Sequence, residues 1–169
     1  CSVGSRSLLD YTLRFNPRVF LLTSPVIDHG LHNTNTSSAQ RAIGWIGYYA
    51  AHRESLTQLF FPALHRLPFP ICLNLLGVET REEEQEIKSI FADFPHISLE
   101  IPLALNWQQE ESIYKLIANF WVGVSPLLDT EFNRGKSAFK LKQCLSCAVP
   151  VLGSKVGENA HFLKEGING

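Results

Sequence analysis

From residue 42 onward, short runs of apolar and β-branched residues alternate with longer stretches of helical periodicity. Most of the short runs are apolar at both odd and even positions, which is typical of strands covered by helices on both faces. The runs predict five strands, at residues 43–46, 71–76, 97–101, 121–127 and 149–152. This alternation predicts βαβ units, and therefore an α/β fold with a doubly wound, mostly parallel sheet.

Between the predicted strands, the apolar residues repeat at helical spacing. The repeat predicts a helix over residues 56–67, with a kink or a loosened turn at Pro62. Glutamates at 82–86 predict the solvated first turn of another helix, with Ile87 on its inner face. The other predicted elements are helices over 108–119 and from about 136, a short helix over 7–15, a strand over 18–23 and a linker over 28–40.

Length and composition indicate one globular domain. The 169 residues are 45% apolar, and the net charge of -1 gives no electrostatic basis for binding nucleic acid or an anionic membrane surface. No apolar run reaches the roughly 18 residues that span a bilayer, and no signal peptide is recognisable, so we expect a soluble chain that faces the cytoplasm. The four cysteines are expected to be free. Because the chain starts with Cys1, has no methionine and ends in a turn-like sequence, we expect a fragment of a longer protein.

Candidate chemistry lies in the loop after the predicted strand 121–127. Gly135, Lys136 and Ser137 precede a predicted helix there, at the sheet edge where α/β proteins bind ligands. A glycine, a cation and a hydroxyl at a helix N-terminus favour an anion with two or more phosphate oxygens. This is not a P-loop, because Thr130 stands where that motif needs a glycine. A Lys136 that is merely exposed is the alternative interpretation.

Other reactive side chains give weaker signals. Helical spacing places Lys136, Lys140, Gln143 and Cys147 on one polar stripe, which could line a cleft. Cys144 and Cys147 are interpreted as helix-packing residues rather than zinc ligands, and the aspartates form no Asp-x-Asp pair, so no metal is expected. His52 and His161 are interpreted as ordinary surface residues.

Three segments resemble a known family. PLLDTEFNRGKSAFKLKQCLSCAVPVLGSKVGEN resembles the nucleotide-sugar-binding half of GT-B glycosyltransferases of the retaining family 4 (group 1). WIGYYAAHRESL resembles the opening strand, loop and helix of that half, and YTLRFNPRVFLLTSPVID the stretch that leads into it. The resemblance implies that residues 1–40 are the end of an N-terminal domain and the interdomain linker. Residues 41–169 would be a Rossmann-like donor-nucleotide-binding domain, one half of a GT-B fold, truncated at its C-terminal end.

The resemblance also implies an activity. A retaining glycosyltransferase of the hexosyltransferase type, as used in polysaccharide biosynthesis, transfers a sugar from a nucleotide diphosphate to a glycan, a lipid or a small molecule. The implied partners are a nucleotide sugar and a glycan or lipid-linked acceptor, without nucleic acid and without a cofactor or metal. Peripheral association with the inner face of the membrane would come from the N-terminal domain, and the isolated fragment is expected to be inactive.

Site residues carry over from the family one by one. Lys136 is assigned as the catalytic residue, because its charge would offset the charge on the leaving diphosphate. The substrate-binding residues are assigned as Gly47, Asn133, Gly135, Ser137, Gln143 and Glu158.

Three positions depart from the family pattern. Gly135 and Gln143 stand where many relatives carry two glutamates, and Ala148 replaces a usual glycine, which is taken as a minor packing change. The neutral amide of Gln143 predicts weaker ribose binding. A catalytically degenerate domain that acts as a binding or scaffold module is therefore the alternative function. A dinucleotide-binding oxidoreductase fits less well, because the first strand is not followed by Gly-x-Gly-x-x-Gly.

Overall fold

The computed structural model of this protein describes residues 1–31 and 41–169. The first range forms a small βαβ unit, in which the parallel strands β1 (Ser2–Val3) and β2 (Phe20–Leu21) flank the helix α1 (Arg6–Leu13). The helix and strand predicted for this region are therefore present, although both are shorter than predicted. Most of the predicted linker over residues 28–40 lies outside the described residues.

The second range forms a five-stranded sheet in which all pairs of neighbours are parallel. Its strands are β3 (Ala42–Ile46), β4 (Ile71–Leu76), β5 (Ile97–Glu100), β6 (Val122–Ser125) and β7 (Val151–Gly153). The order across the sheet is β5-β4-β3-β6-β7, so the chain starts in the middle and winds outward in both directions. The predicted doubly wound fold is confirmed, and the five predicted strands are all present.

Helices cover both faces of this sheet. They are α2 (Tyr49–Ser55), α3 (Phe61–Leu64), α4 (Arg81–Ile90), α5 (Glu110–Ile117), α6 (Glu131–Arg134), α7 (Phe139–Ser146) and α8 (Gly157–Phe162). In the described part of the chain, no helix combines the length and the apolar character needed to cross a bilayer.

The helix predicted over residues 56–67 begins earlier than its apolar spacing indicated. It starts with α2 at Tyr49, continues through a π-helical turn over Leu56–Phe60 and ends with α3. The N–H of Phe61 donates to the carbonyl of Leu56, five residues back, which widens the turn directly before Pro62. The loosened turn predicted at Pro62 is thus present, but the first seven residues of the helix were missed.

The helix α4 agrees with its prediction. Thr80 Oγ1 accepts a hydrogen bond from the Glu83 N–H, and Glu83 Oε2 accepts one from the Thr80 N–H, which together form a capping box. Glutamates occupy the first turn, where the helix dipole favours negative charge, and Ile87 is fully buried against the sheet.

The helix predicted from about residue 136 begins three residues later. Ala138 has a φ of 56°, a left-handed conformation that cannot continue a right-handed helix, so α7 begins at Phe139. Gly135 caps the C-terminus of the short helix α6, whose N-terminus is capped by Thr130. Gly135, Lys136 and Ser137 therefore connect two helices, which corrects the prediction that they lie at a helix N-terminus.

The core consists of two clusters of buried apolar side chains. One contains Leu73 and Leu75 of β4 and packs under α2, α3 and α4, while the other contains Leu76 and the inner faces of α5 and α7. Cys144 and Cys147 belong to the second cluster, and all four cysteines are free, as predicted.

The interpretation of Ala148 as a minor packing change is wrong. Ala148 has a φ of 55°, in the left-handed region that favours glycine, so the replacement of the usual glycine changes backbone strain rather than packing.

Leu73→Ala is expected to lower the free energy of unfolding by about 2 to 5 kcal/mol, because the side chain is completely buried in the central sheet and its removal leaves a cavity. The matched control is Leu152→Ala on the edge strand β7, where the side chain is 65% exposed and we expect a change of no more than about 0.5 kcal/mol. Urea denaturation measures both, and equal losses in the two variants would contradict this description of the core.

Candidate functional site

A cavity of about 660 Å³ lies at the edge of the sheet where the parallel strands end. Its wall includes Gly47 after β3, Glu79 after β4, Trp107 after β5 and Leu127 after β6. Side chains from the start of α7 and from the N-terminal βαβ unit complete the wall. The sequence predicted a ligand site at this edge, because α/β sheets bind their ligands there.

Two lysine side chains meet at one histidine inside this cavity. Lys140 Nζ lies 2.7 Å from His52 Nε2, and Lys136 Nζ lies 3.1 Å from Nε2 and 3.2 Å from Nδ1 of the same ring. His52 comes from the first helical turn after β3, whereas the lysines come from the segment after β6. The strands β3 and β6 are neighbours in the sheet, which brings the two segments together.

Gly47 makes room for one of these lysines. A Cβ atom at Gly47 would lie 2.5 Å from Lys140 Cε, so a larger residue here would force the lysine side chain to shift. The loop is fixed by the Gly47 N–H, which donates to the carbonyl of Leu76, and by the Tyr49 N–H, which donates to the carbonyl of Gly77. Gly47, which the resemblance assigned to substrate, is therefore in close contact with a side chain of the protein itself, and its contact with substrate stays a prediction.

Burial and mutual repulsion weaken the charge of this cluster. Burial lowers the pKa of Lys136 to about 8, and burial together with the charge of Lys136 lowers the pKa of Lys140 to about 7. The pKa of His52 falls to about 3, because it is buried and lies beside two amines. None of the acidic side chains in the described ranges forms an ion pair with either lysine. A pocket with two amines that pair with no carboxylate among the described residues is suited to an anionic ligand.

Five of the seven predicted site residues line the cavity: Gly47, Gly135, Lys136, Ser137 and Gln143. Ser137 Oγ lies 3.4 Å from Ser24 Oγ, so the N-terminal unit contacts the cavity wall directly at this position. The polar stripe predicted on α7 does line a cleft through Lys136, Lys140 and Gln143, whereas Cys147 is buried in the core.

Asn133 and Glu158 lie outside the cavity lining. The Asn133 amide donates to the carbonyl of Leu128 at 2.9 Å and to Ser55 Oγ at 3.4 Å, and thereby ties the loop after β6 to the end of α2. The buried Glu158 carboxylate accepts hydrogen bonds from the Arg6 N–H at 2.6 Å and from Arg6 Nη1 at 2.7 Å. Both side chains are occupied by contacts within the protein, and their assignment to substrate stays a prediction.

Sequence reasoning missed His52. It was interpreted as a surface residue, but it is only 7% exposed, and this interpretation is wrong. The reason is the misplaced start of α2: with the helix beginning at Tyr49, His52 falls in its first turn and points to the sheet edge. The residue before α2 is Tyr48, which is not a capping residue, so the sequence did not indicate where this helix begins.

Backbone strain marks the cavity wall. Ala138 is buried, has a left-handed backbone and lies between Ser137 and the start of α7. Such strain persists only where the surrounding structure holds it, and it is frequent at functional sites.

No group of three or more His, Cys, Asp or Glu side chains in the described part of the chain is placed to hold a metal ion. The expectation that the reaction uses no metal stays a prediction.

Neither a protein-family model nor a curated protein matches this chain in sequence. Similar folds are found among solved structures. Anabaena HepE, in complex with UDP and glucose, superposes with a TM-score of 0.70 at 12% identity over 99% of this chain and 47% of HepE.

Two further structures have the same fold. A glycosyltransferase from Rickettsia africae gives a TM-score of 0.69 at 12% identity, covering 97% of this chain and 46% of that protein. S. aureus TarM, in complex with fondaparinux, alpha-GlcNAc-glycerol and UDP, gives a TM-score of 0.64 at 12% identity. The match covers 99% of this chain and 32% of TarM. This chain thus spans a third to a half of the length of these proteins. It has the fold of one Rossmann-like half of a GT-B glycosyltransferase.

Proposed function

We propose that this chain binds a nucleoside-diphosphate sugar in the cavity at the carboxyl edge of the sheet. The observation that carries the proposal is the pair of amines, Lys136 and Lys140, that converge in a cavity whose described acidic side chains pair with neither of them. Anabaena HepE, which shares the fold, was solved with UDP-glucose bound, and TarM with UDP. A diphosphate carries the oxygens and the negative charge that such a pair of amines would bind.

Within a longer protein, the chain would serve as the donor half of a retaining glycosyltransferase. Departure of the leaving group builds negative charge on the diphosphate, and Lys136, Lys140 and nearby backbone N–H groups would offset it. A donor of this kind is worth about 2.7 to 4 kcal/mol in the transition state. Gln143, in the same cavity, would hydrogen-bond the ribose through a neutral amide.

The acceptor and the cellular location of the reaction depend on the whole protein. The acceptor would be a glycan, a lipid or a small molecule held by a second domain, as in hexosyltransferases of polysaccharide biosynthesis. The reaction would take place in the cytoplasm or at the inner face of the membrane, without a metal. The resemblance of residues 126–159 to family 4 glycosyltransferases supports this part.

Isothermal titration calorimetry with UDP-glucose, ADP-glucose and GDP-glucose tests the proposal. We expect at least one of them to bind, and Lys136→Met to weaken that binding by about tenfold or more, because a charge-assisted hydrogen bond is worth about 1.5 to 3 kcal/mol. The control is Lys155→Met, which removes an exposed amine outside the cavity and is expected to leave the affinity unchanged.

Two outcomes would contradict the proposal. Absence of binding by all three nucleotide sugars would favour the alternative function, a degenerate domain that acts as a scaffold. Binding that Lys136→Met and Lys155→Met leave equally strong would place the ligand elsewhere on the protein.

A further inference from the structure

The contacts of His52 are unusual for a buried histidine, because both of its close polar neighbours are amines. Lys140 Nζ lies 2.7 Å from Nε2, and Lys136 Nζ lies within 3.2 Å of both ring nitrogens. The imidazole also packs edge-on against the ring of Trp45, 5.6 Å between ring centroids, which fixes its orientation.

The number of hydrogen-bond donors and acceptors limits the positive charge that His52, Lys136 and Lys140 can hold together. A neutral imidazole has one acceptor nitrogen and one N–H donor. Both amines lie within hydrogen-bond distance of Nε2, and Lys136 Nζ is also near Nδ1. Whichever ring nitrogen is the acceptor, two ammonium groups would compete for it, whereas a neutral amine could accept from the ring N–H. The imidazole and the two lysines therefore hydrogen-bond best when one lysine is an ammonium group and the other is a neutral amine, which is one proton fewer than two ammonium groups carry.

The surroundings do not supply the missing counter-charge. The other titratable side chains that line the cavity are Glu79 and Tyr48, and neither contacts the amines. On the elements packed around the cluster, Arg53 pairs with Glu86, Arg134 with Asp129 and Lys142 with the carbonyl of Ser24, and the exposed carboxylates of Glu54 and Glu131 form no ion pair with either amine. The aromatic rings of Trp45 and Phe132 lie 5.8 Å and 4.6 Å from the Lys140 and Lys136 amines.

We propose that His52 is a positioning residue, which holds the Lys136 and Lys140 amines together at one end of the cavity, and that this cluster takes up a proton when a diphosphate binds. The inference rests on the proposed function, because the diphosphate is the ligand that would supply new acceptor oxygens. Once those oxygens accept from both lysines, each amine gains a counter-charge and the state with two ammonium groups becomes favourable. Burial lowers the pKa of both lysines, and more strongly that of Lys140, which also lies beside the charge of Lys136.

Calorimetry in buffers of different ionisation enthalpy measures the proton uptake. UDP-glucose, or whichever of the three nucleotide sugars binds, is titrated into the protein at pH 7.5 in HEPES and in Tris at equal ionic strength. The diphosphate of such a sugar has no group that titrates near this pH, so any dependence of the binding enthalpy on the buffer comes from the protein. We expect an uptake of about 0.5 to 1 proton for each ligand bound, because a cluster that holds one proton fewer than two ammonium groups can take up at most one.

Three variants assign the effect to residues. His52→Gln retains an acceptor for Lys140 and is expected to bind within about threefold of the wild type, whereas His52→Leu, which has no acceptor, is expected to bind tenfold more weakly or worse. The control is His161→Gln, an exposed histidine on α8, which should change neither affinity nor proton uptake.

The results of these experiments distinguish a failure of the positioning role of His52 from a failure of the proposed nucleotide-sugar binding. If the wild type binds none of the nucleotide sugars, the proposed function fails and the inference fails with it. If the wild type binds without proton uptake, or if folded His52→Leu binds as tightly as the wild type, the positioning role alone is overturned. Should His52→Leu fail to fold, the buffer dependence of the wild type and the affinity of His52→Gln still decide the question.

Discussion

Lys140→Met is expected to weaken nucleotide-sugar binding by about 10- to 150-fold and, at the same time, to raise the free energy of unfolding of the unliganded protein. The loss of affinity follows from removing a charge-assisted hydrogen bond worth about 1.5 to 3 kcal/mol. The gain in stability follows from removing an amine that is buried without an acidic partner in the described chain. Methionine has nearly the shape of lysine without the charge, so it should fill the same space beside Gly47.

The gain in stability depends on pH. The folded protein lowers the pKa of Lys140 from 10.5 to about 7, so the unfolded chain binds more protons between these values and the stability of the wild type rises with pH across that window. The variant lacks this dependence. Its advantage should be largest at pH 7 and below, about 1 to 3 kcal/mol after the lost contact with His52 is subtracted, and should fall and reverse as the pH approaches 10.5, where only the lost contact remains.

Calorimetric titration and urea denaturation between pH 6 and 10 measure the two effects. Lys164→Met, an exposed lysine outside the cavity, is the control and should change neither quantity. A Lys140→Met protein that binds normally, or one that is less stable than the wild type at pH 7, would show that Lys140 is not a ligand-binding amine held at a cost in stability.

Gly77→Ala is expected to lower the free energy of unfolding by about 3 kcal/mol or more and to abolish ligand binding. Gly77 has a φ of 116°, and a Cβ atom there would lie 1.6 Å from the carbonyl oxygen of Gly47. Two backbone segments cannot both remain in place around that atom. The loops after β3 and β4 must separate, and with them the wall of the cavity that Gly47 forms under Lys140.

Gly166→Ala is the matched control for this variant. Gly166 also has a left-handed backbone, with a φ of 71°, but its Cβ atom would meet nothing within 4 Å. It should therefore lose only the conformational preference of glycine, about 1 kcal/mol, and retain ligand binding. If both variants lost the same stability, the contact between the two loops would have no energetic importance.

The sheet and the parallel direction of its strands were predictable, because each strand shows as a short apolar run in the sequence. Strands buried on both faces are mostly apolar, as in Ile71–Leu76, where Asn74 is the single polar residue and the prediction and the structure agree at both ends. The helix α4 was equally clear, since its glutamates and its buried Ile87 fall on opposite sides of a helical repeat.

Helix boundaries near the site were less predictable, for reasons that are physical. A helix that starts without a capping side chain, as α2 does after Tyr48, leaves no mark in the sequence. A left-handed alanine at 138 contradicts its own local preference, so no local rule places the start of α7 at Phe139. In both places the tertiary contacts of the cavity wall override propensity.

The α/β class, the parallel sheet and the edge at which a ligand would bind were thus predictable from the amino-acid sequence, because they depend on local patterns of burial. Which side chains meet at that edge depends on how the elements pack in three dimensions. His52 and Lys136 lie 84 residues apart and touch because β3 and β6 are adjacent strands. Asn133 is close in sequence to the lysines and Glu158 follows the neighbouring strand β7, but packing turns them toward Ser55 and Arg6. Contact between distant residues is set by strand order, which no single stretch of the chain encodes.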